Sequence, residues 1–209
     1  MSLGPAKAII FDLGKVLIDF SVDRACSQVA ALVDSSPQKV HEFLFADGRE
    51  FDFERGLISF SDLHRQFESY FETSVLPAAL KHAASDIFNP LPETLNILSS
   101  IHTRYQGSRP IILLSNTNEI HWEHIERNWS ISRWFDDLVL SFEIKSMKPD
   151  KKIYLEAVSK SGHKAGECFF VDDVPANVEG AKKCGIDAVL FENSAKLTHD
   201  LKLRGISID

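Results

Sequence analysis

Hydrophobic positions along the chain fall into short, nearly continuous runs separated by longer stretches of helical spacing. Five runs stand out, at residues 8–11, 111–114, 138–140, 168–171 and 188–191. Continuous rather than alternating hydrophobicity over so few residues is the mark of strands covered on both faces, as in a parallel sheet. Between them, residues 93–101 place Leu95, Ile97, Leu98 and Ile101 at helical intervals, and residues 150–160 do the same with Ile153, Tyr154, Ala157 and Val158. The second of these helices is expected to begin at Pro149 and to end before Gly162, and a helix over 176–183 to follow Pro175 and stop at Gly185. Strands alternating with helices predict an α/β fold, a doubly wound parallel sheet.

Residues 21–89 break the alternation. No buried-strand run occurs there, and aromatics recur at helical spacing: Phe43, Phe60, Phe67, Tyr70 and Phe71. This region is expected to form a small helical domain inserted into an α/β core made of residues 1–20 and 90–209. Asn89-Pro90-Leu91-Pro92 would be the stiff linker that closes it. The aromatic stripe reads as the core of a helical bundle, with a ligand pocket as the alternative.

Composition adds exclusions. The net charge of -7 disfavours a nucleic-acid partner, whose phosphates such a surface would repel. Cys26, Cys168 and Cys184 are widely spaced and odd in number, so reduced thiols and a cytoplasmic setting are expected rather than a disulfide framework. Residues 1–7 lack the layout of a signal peptide, and no apolar run is long enough to span a membrane. Neither a Gly-x-Gly-x-x-Gly nor a Walker-type loop occurs, leaving a nucleotide cofactor without support. His121 and His124 flank Trp122-Glu123 and are read as packing or surface residues rather than metal ligands, and Lys151-Lys152 and Lys182-Lys183 as solvated helix faces.

Four segments carry candidate chemistry, each at or beside the C-terminal end of an expected strand, where open α/β sheets collect their active sites. Asp12 follows the first strand, with Gly14 allowing a sharp turn. Ser115-Asn116-Thr117-Asn118 follows the second and offers hydroxyl and amide donors at a helix start, or simply a helix cap. Lys148-Pro149-Asp150 supplies one lysine before a helix. Asp172-Asp173 follows the strand at 168–171, with Asn177 further on, and paired carboxylates there suit a hard divalent cation such as Mg²⁺.

In this order and spacing, the four segments resemble the motifs of the haloacid dehalogenase-like superfamily, in the branch whose helical cap is inserted after the first motif. The resemblance implies a Rossmann-like core and a Mg²⁺-dependent phosphohydrolase acting on a small phosphate ester, with sugar phosphates among the expected substrates. It implies that Asp12 is the nucleophile and forms an aspartyl-phosphate, that Ser115, Asn116 and Lys148 contact the phosphoryl group, and that Asp12, the Gly14 carbonyl, Asp173 and Asp172 surround the metal. One position departs from the pattern. Phosphatases of the superfamily carry an acid/base aspartate two residues after the nucleophile, and here that residue is Gly14. Three outcomes are open: a substrate with a good leaving group, a replacement residue (Asp19 by proximity), or a protein that binds phosphate esters without turnover. Dehalogenation of a 2-haloacid is a further alternative, disfavoured because Asp172-Asp173 would repel a carboxylate substrate.

Overall fold

A computed structural model describes residues 4–208; the reading of residues 1–3 as part of a leaderless N-terminus lies outside the described residues. The elements in chain order are β1 (Ala8–Phe11), β2 (Ile18–Phe20), α1 (Val22–Leu32), α2 (Pro37–Phe45), α3 (Arg49–Glu54), α4 (Phe60–Phe71), α5 (Pro77–Ser85), β3 (Phe88–Pro90), α6 (Pro92–Tyr105), β4 (Ile111–Ser115), α7 (Glu119–Trp129), β5 (Asp137–Leu140), α8 (Ser141–Ile144), α9 (Lys151–Ser161), β6 (Cys168–Asp172), α10 (Pro175–Lys183), β7 (Asp187–Leu190) and α11 (Ser194–Leu203).

The five expected strands are present and form one parallel sheet in the order β5-β4-β1-β6-β7. Because side chains alternate across a strand, β1 sends Ile9 and Phe11 to one face and Ala8 and Ile10 to the other. Ile9 and Phe11 pack with Leu98 and Ile101 of α6, Ile125 of α7 and Leu201 of α11. Ala8 and Ile10 pack with Ile153, Tyr154 and Ala157 of α9 and Val178 and Ala181 of α10. Both faces are thus covered, which is why each strand is hydrophobic throughout. Neighbouring β1 and β6 run in register, Phe11 beside Val171. Their C-terminal ends, and the residues that follow, therefore meet at one edge.

The helices α1 to α5 bury a third apolar cluster that includes Val29, Val40, Phe43, Phe53, Phe60 and Phe67, joined by Ile120 of α7. Phe43 and Phe67 meet edge to face, with ring centres 5.5 Å apart. Tyr70 does not belong to this core; it is exposed.

Two expectations need correction, and one helix was not anticipated. Asn89-Pro90 is not linker: β3 pairs antiparallel with β2, Asp19 opposite Asn89, so the chain leaves and re-enters the α/β unit through a two-stranded ribbon. Strands of three residues leave too little pattern for a run to be seen, and Pro90 is tolerated at the end of an edge strand, where no N–H is needed. Pro149 stands outside α9, whose N-cap is Asp150. The C-terminal helix α11, capped by Asn193, lies outside the elements expected above.

One place where the helical layer lies close against the α/β unit is Gly56, just past α3. Its φ is +65°, and a Cβ there would lie 2.1 Å from the Phe142 carbonyl oxygen. Gly56→Ala combines a left-handed backbone with an overlap against main chain, so we expect it to lower unfolding free energy by about 2–4 kcal/mol in urea titration. A loss below about 0.5 kcal/mol would mean that the two layers do not meet there.

Candidate active site

Asp12 is the first residue beyond β1, and its backbone N–H donates to the Val171 carbonyl at 3.0 Å, continuing the sheet register. The site is therefore anchored to the sheet rather than to a loop. Asp172 is the last residue of β6 and is fully buried. Between these two carboxylates lies the ammonium of Lys148, 2.7 Å from Asp12 Oδ1 and 2.6 Å from Asp172 Oδ2. The Lys148 side chain is 1% exposed. The other contacts of Asp172 are all donors: the Val174 N–H at 2.8 Å to Oδ1, and Asn177 Nδ2 at 3.1 Å to both oxygens. Asp173 follows and is only half-buried. One carboxylate oxygen from each of Asp12, Asp172 and Asp173 lies within 4.8 Å of the others. Among the described residues, this is the one group of His, Cys, Asp or Glu side chains spaced to hold an ion.

Three carboxylates around one ammonium leave excess negative charge. Burial pushes the Asp12 carboxyl well above the ordinary range, against the pull of Lys148 and with a further push from Asp172. Asp173 is raised by burial and by the neighbouring Asp172. Burial alone would depress Lys148, but Asp12 and Asp172 hold it above its usual value and charged. A bound divalent cation would reverse the upward pressure on the carboxyls.

Ser115 ends β4 and is buried. The Asn116 amide is engaged on both atoms by the Lys148 backbone: Nδ2 donates to its carbonyl at 3.0 Å, and Oδ1 accepts from its N–H at 2.8 Å. This side chain braces the lysine loop. Asn118 caps α7, its Oδ1 accepting from the His121 N–H at 3.0 Å. The His121 ring lies 3.0 Å from Asn118 Nδ2 and edge-on to Phe88, and burial lowers its pKa to about 4. It is a packing residue, in agreement with its sequence reading.

The space beyond Gly14 is filled by an aromatic ring. A Cβ at Gly14 would lie 2.9 Å from Cε1 of Phe20. Asp19 is no substitute for the absent aspartate: its carboxylate is half exposed and accepts from Lys15 Nζ at 2.5 Å and from the Phe20 N–H at 2.9 Å.

Sequence reasoning missed Glu50 and Glu54, both on α3. Burial raises Glu50 to about 7, opposed by a hydrogen bond from Asn118 Nδ2 at 3.2 Å. Burial raises Glu54 to about 8, with Glu50 adding to the effect; Lys148 lowers it and Asp12 raises it, so this carboxyl senses the charges of the site. The only available signal was the alternation Glu50-Phe51-Asp52-Phe53-Glu54, acids interleaved with phenylalanines.

Beside these groups a cavity of about 280 Å³ runs from Leu13, Gly14, Ser115 and Asn116 into the helical layer. Phe43, Phe60 and Phe67 line it while also packing the bundle core. The stripe packs the bundle core as expected, and some of its rings also face this cavity.

A doubly wound sheet with an aspartate beyond its central strand, a buried lysine beside it and paired aspartates beyond the next strand is the frame of a hydrolase core. Residues 6–185 match the haloacid dehalogenase-like hydrolase family model, and the chain belongs to that family. Among solved structures, a HAD family enzyme of Bacteroides thetaiotaomicron, in complex with magnesium and inorganic phosphate, is similar with a TM-score of 0.80 and 25% identity, covering 92% of this chain and 98% of that one. Flavin mononucleotide hydrolase 1, chloroplatic, of Arabidopsis thaliana is 29% identical over 161 residues, 75% of this chain and 62% of the relative. A pyrimidine 5'-nucleotidase of Escherichia coli is 31% identical over 119 residues, 54% of this chain and 51% of the relative. The chain thus spans between half and two thirds of the length of these curated relatives.

Glu50 gives the fold a pH dependence of known sign. Its folded pKa of about 7 lies above its ordinary 4.5. Its contribution to stability is fully present below 4.5, falls as pH rises because the unfolded chain releases the proton first, and is lost above about 7. At 1.36 kcal/mol per unit, reduced because the side chain is not wholly shielded, the loss is about 1–2 kcal/mol. Glu50→Gln should therefore gain about 1–2 kcal/mol over the parent between pH 4.5 and pH 8. Parallel stability curves for the two proteins would refute a buried Glu50 carboxyl.

Proposed function

We propose that this protein is a Mg²⁺-dependent phosphohydrolase of small phosphate esters that works through an aspartyl-phosphate on Asp12. The observation that carries the reading is the buried Lys148 ammonium bridging Asp12 and Asp172, with Asp173 alongside. Surplus carboxylate charge and three convergent oxygens fit a hard, oxygen-preferring divalent cation. Asp12, Asp173, the Gly14 carbonyl and Asp172, directly or through water, would surround it. Bound there, Mg²⁺ would neutralise charge on the phosphoryl oxygens as the nucleophile approaches. The names of the relatives, a flavin mononucleotide hydrolase and a pyrimidine nucleotidase, support a phosphate ester as substrate. The neighbour crystallised with magnesium and inorganic phosphate supports the ion and the product.

In this reading Lys148 holds Asp12 Oδ1, leaving Oδ2 to attack phosphorus, and its charge draws the ester in. Ser115 Oγ, at the end of β4, donates to a phosphoryl oxygen. Asn116 keeps the lysine loop in place. The bond from phosphorus to the substrate alcohol breaks as the bond to Asp12 forms. Water then attacks phosphorus, and the bond to Asp12 breaks in turn.

The alcohol leaves as an alkoxide unless something protonates it, and Gly14 offers nothing. Glu54 takes that part: held protonated near neutral pH by burial, it donates to the leaving oxygen and later accepts the proton of the attacking water. The helices of residues 21–89 act as a cap over the core of residues 1–20 and 90–209, excluding water and delivering Glu54 from above.

Phosphate release from a panel of phosphomonoesters should require Mg²⁺, stop with EDTA, and fall by about 10³-fold or more in Asp12→Asn. Turnover that survives this substitution would sink the nucleophile assignment. Measurable phosphate binding with no turnover on any ester would instead indicate a binding protein.

Glu54→Gln separates the acid role from a structural one. Alkyl phosphates, whose leaving oxygen needs a proton, should slow by about 10²–10⁴-fold. Para-nitrophenyl phosphate, whose leaving group departs unprotonated, should be nearly unaffected in kcat/KM, the parameter on which both substrates are compared because it reports the first displacement and not the later attack of water. Equal losses on both would remove Glu54 from proton transfer.

A further inference from the structure

The phosphate end of the site is accounted for by charged and polar groups, but the cavity beyond it is of a different character. Its polar side chains are confined to Glu50, Glu54, Ser115, Asn116, Thr117, Asn118 and His121. Several of these are already committed. Asn116 is bonded on both atoms to the Lys148 backbone. Asn118 is bonded to Glu50, to the His121 ring and to the His121 N–H. The rest of the wall is hydrocarbon and includes eight phenylalanines, among them Phe20 and Phe88 from the ribbon and Phe51 and Phe53 beside the two glutamates of α3.

A sugar or polyol placed there would bury several hydroxyls, each needing a partner, against a wall that is mostly hydrocarbon. An apolar group placed there loses only its contact with water, which favours binding in proportion to the area covered. The size of the space is also informative. An apolar cavity of about 150 Å³ holds one benzene ring; the cavity here is nearly twice that, at about 280 Å³. Protein interiors leave few voids larger than a water molecule, and this one opens onto Gly14 and Ser115, at the phosphoryl end. Its occupant is therefore continuous with the ester bond.

We propose that the substrate is a phosphomonoester whose alcohol carries an apolar group of about two fused rings, seated between α1–α5 and the ribbon, rather than a sugar phosphate. The proposal rests on the phosphohydrolase reading and narrows it. The phosphate sits at Asp12, Lys148 and Ser115, and the apolar group occupies the cavity that Phe20, Phe88 and the phenylalanines of the helical layer line. Glu50 and Glu54 mark the boundary between the polar and the apolar end.

The test uses Asp12→Asn protein in Mg²⁺, so that binding is read without turnover, with titration calorimetry of inorganic phosphate, naphthylmethyl phosphate and a hexose phosphate. The naphthyl ester should bind at least about 10-fold more tightly than the hexose ester, with a negative heat-capacity change. Ala25→Phe and, separately, Ala84→Phe each grow a ring into the cavity from a different helix. At least one of the two should weaken the naphthyl ester about 10-fold or more while leaving inorganic phosphate unchanged. Equal binding of the two esters, or tighter binding of the hexose ester, would overturn the apolar assignment while leaving the phosphohydrolase reading intact. Absence of binding by inorganic phosphate and both esters, together with no turnover by the parent protein, would overturn both. If neither alanine variant folds, denial of the naphthyl ester to the Asp12→Asn protein by a saturating phosphate-free naphthylmethanol decides the same point: competition supports a shared apolar seat, and its absence overturns it.

Discussion

The structure turns on one buried ammonium. Lys148 sits out of water between Asp12 and Asp172, and such a group is stable there only if its partners are held at hydrogen-bonding distance with little freedom. Everything around it serves that end. The parallel register of β1 and β6 brings the two aspartates side by side. The Asn116 amide clamps the lysine backbone at both its N–H and its carbonyl. Asn177 and the Val174 N–H hold Asp172 from the start of α10. Four segments far apart in sequence are thereby fixed to one another, and the orientation of Asp12 is a consequence of the sheet rather than of a flexible loop. The arrangement is under-compensated: one positive charge serves three carboxylates. As folding chemistry this is unfavourable, and in the proposed function a divalent cation would offset it.

A second constraint follows from Gly14. With the Phe20 ring 2.9 Å from where a Cβ would be, an acid in the loop after Asp12 would have to displace that ring. In the proposed mechanism the proton donor is therefore carried by α3, on the helical layer, and not by the core. This would make chemistry conditional on the position of that layer, since a core with its helices swung away would retain nucleophile and lysine but lack the acid. The close approach of Gly56 to the Phe142 carbonyl and the hydrogen bond from Ser141 Oγ to the Glu54 carbonyl at 2.6 Å fix the backbone at Glu54 and just after it to the β5–α8 junction, which suits a role needing a defined distance.

The α/β core was legible in the sequence because its strands are buried on both faces, and dry strands leave continuous apolar runs. The acidic pair at Asp172-Asp173, Lys148 and Asp12 were legible for a related reason, since charged residues placed at or near the ends of such runs stand out. The ribbon was not, because three residues on each side carry no period and Pro90 argues locally for a linker. The bracing role of Asn116 was hidden because a hydrogen bond to a backbone 32 residues away has no local trace. Glu50 and Glu54 were hidden for the opposite reason: a glutamate beside phenylalanines on a short helix looks like a solvated face, and only the fold shows that this face is turned inward.

These features combine into a gradient of polarity along one axis. At one end lie the carboxylates and the lysine, where a phosphate and a divalent cation are at home. At the middle stand Glu50 and Glu54, acids that burial drives toward their neutral forms. At the far end the walls are phenylalanine and aliphatic side chains. A protonated carboxyl is the appropriate group for the boundary, because it can donate to an oxygen on its polar side without placing a charge against hydrocarbon on the other. The apolar surroundings that raise the pKa of Glu54 would also bind the leaving alcohol, so in the proposed enzyme specificity and proton transfer have one physical origin. Replacing the phenylalanine walls with polar residues to admit a sugar would let water reach Glu54, lower its pKa toward the ordinary range and remove the acid together with the specificity.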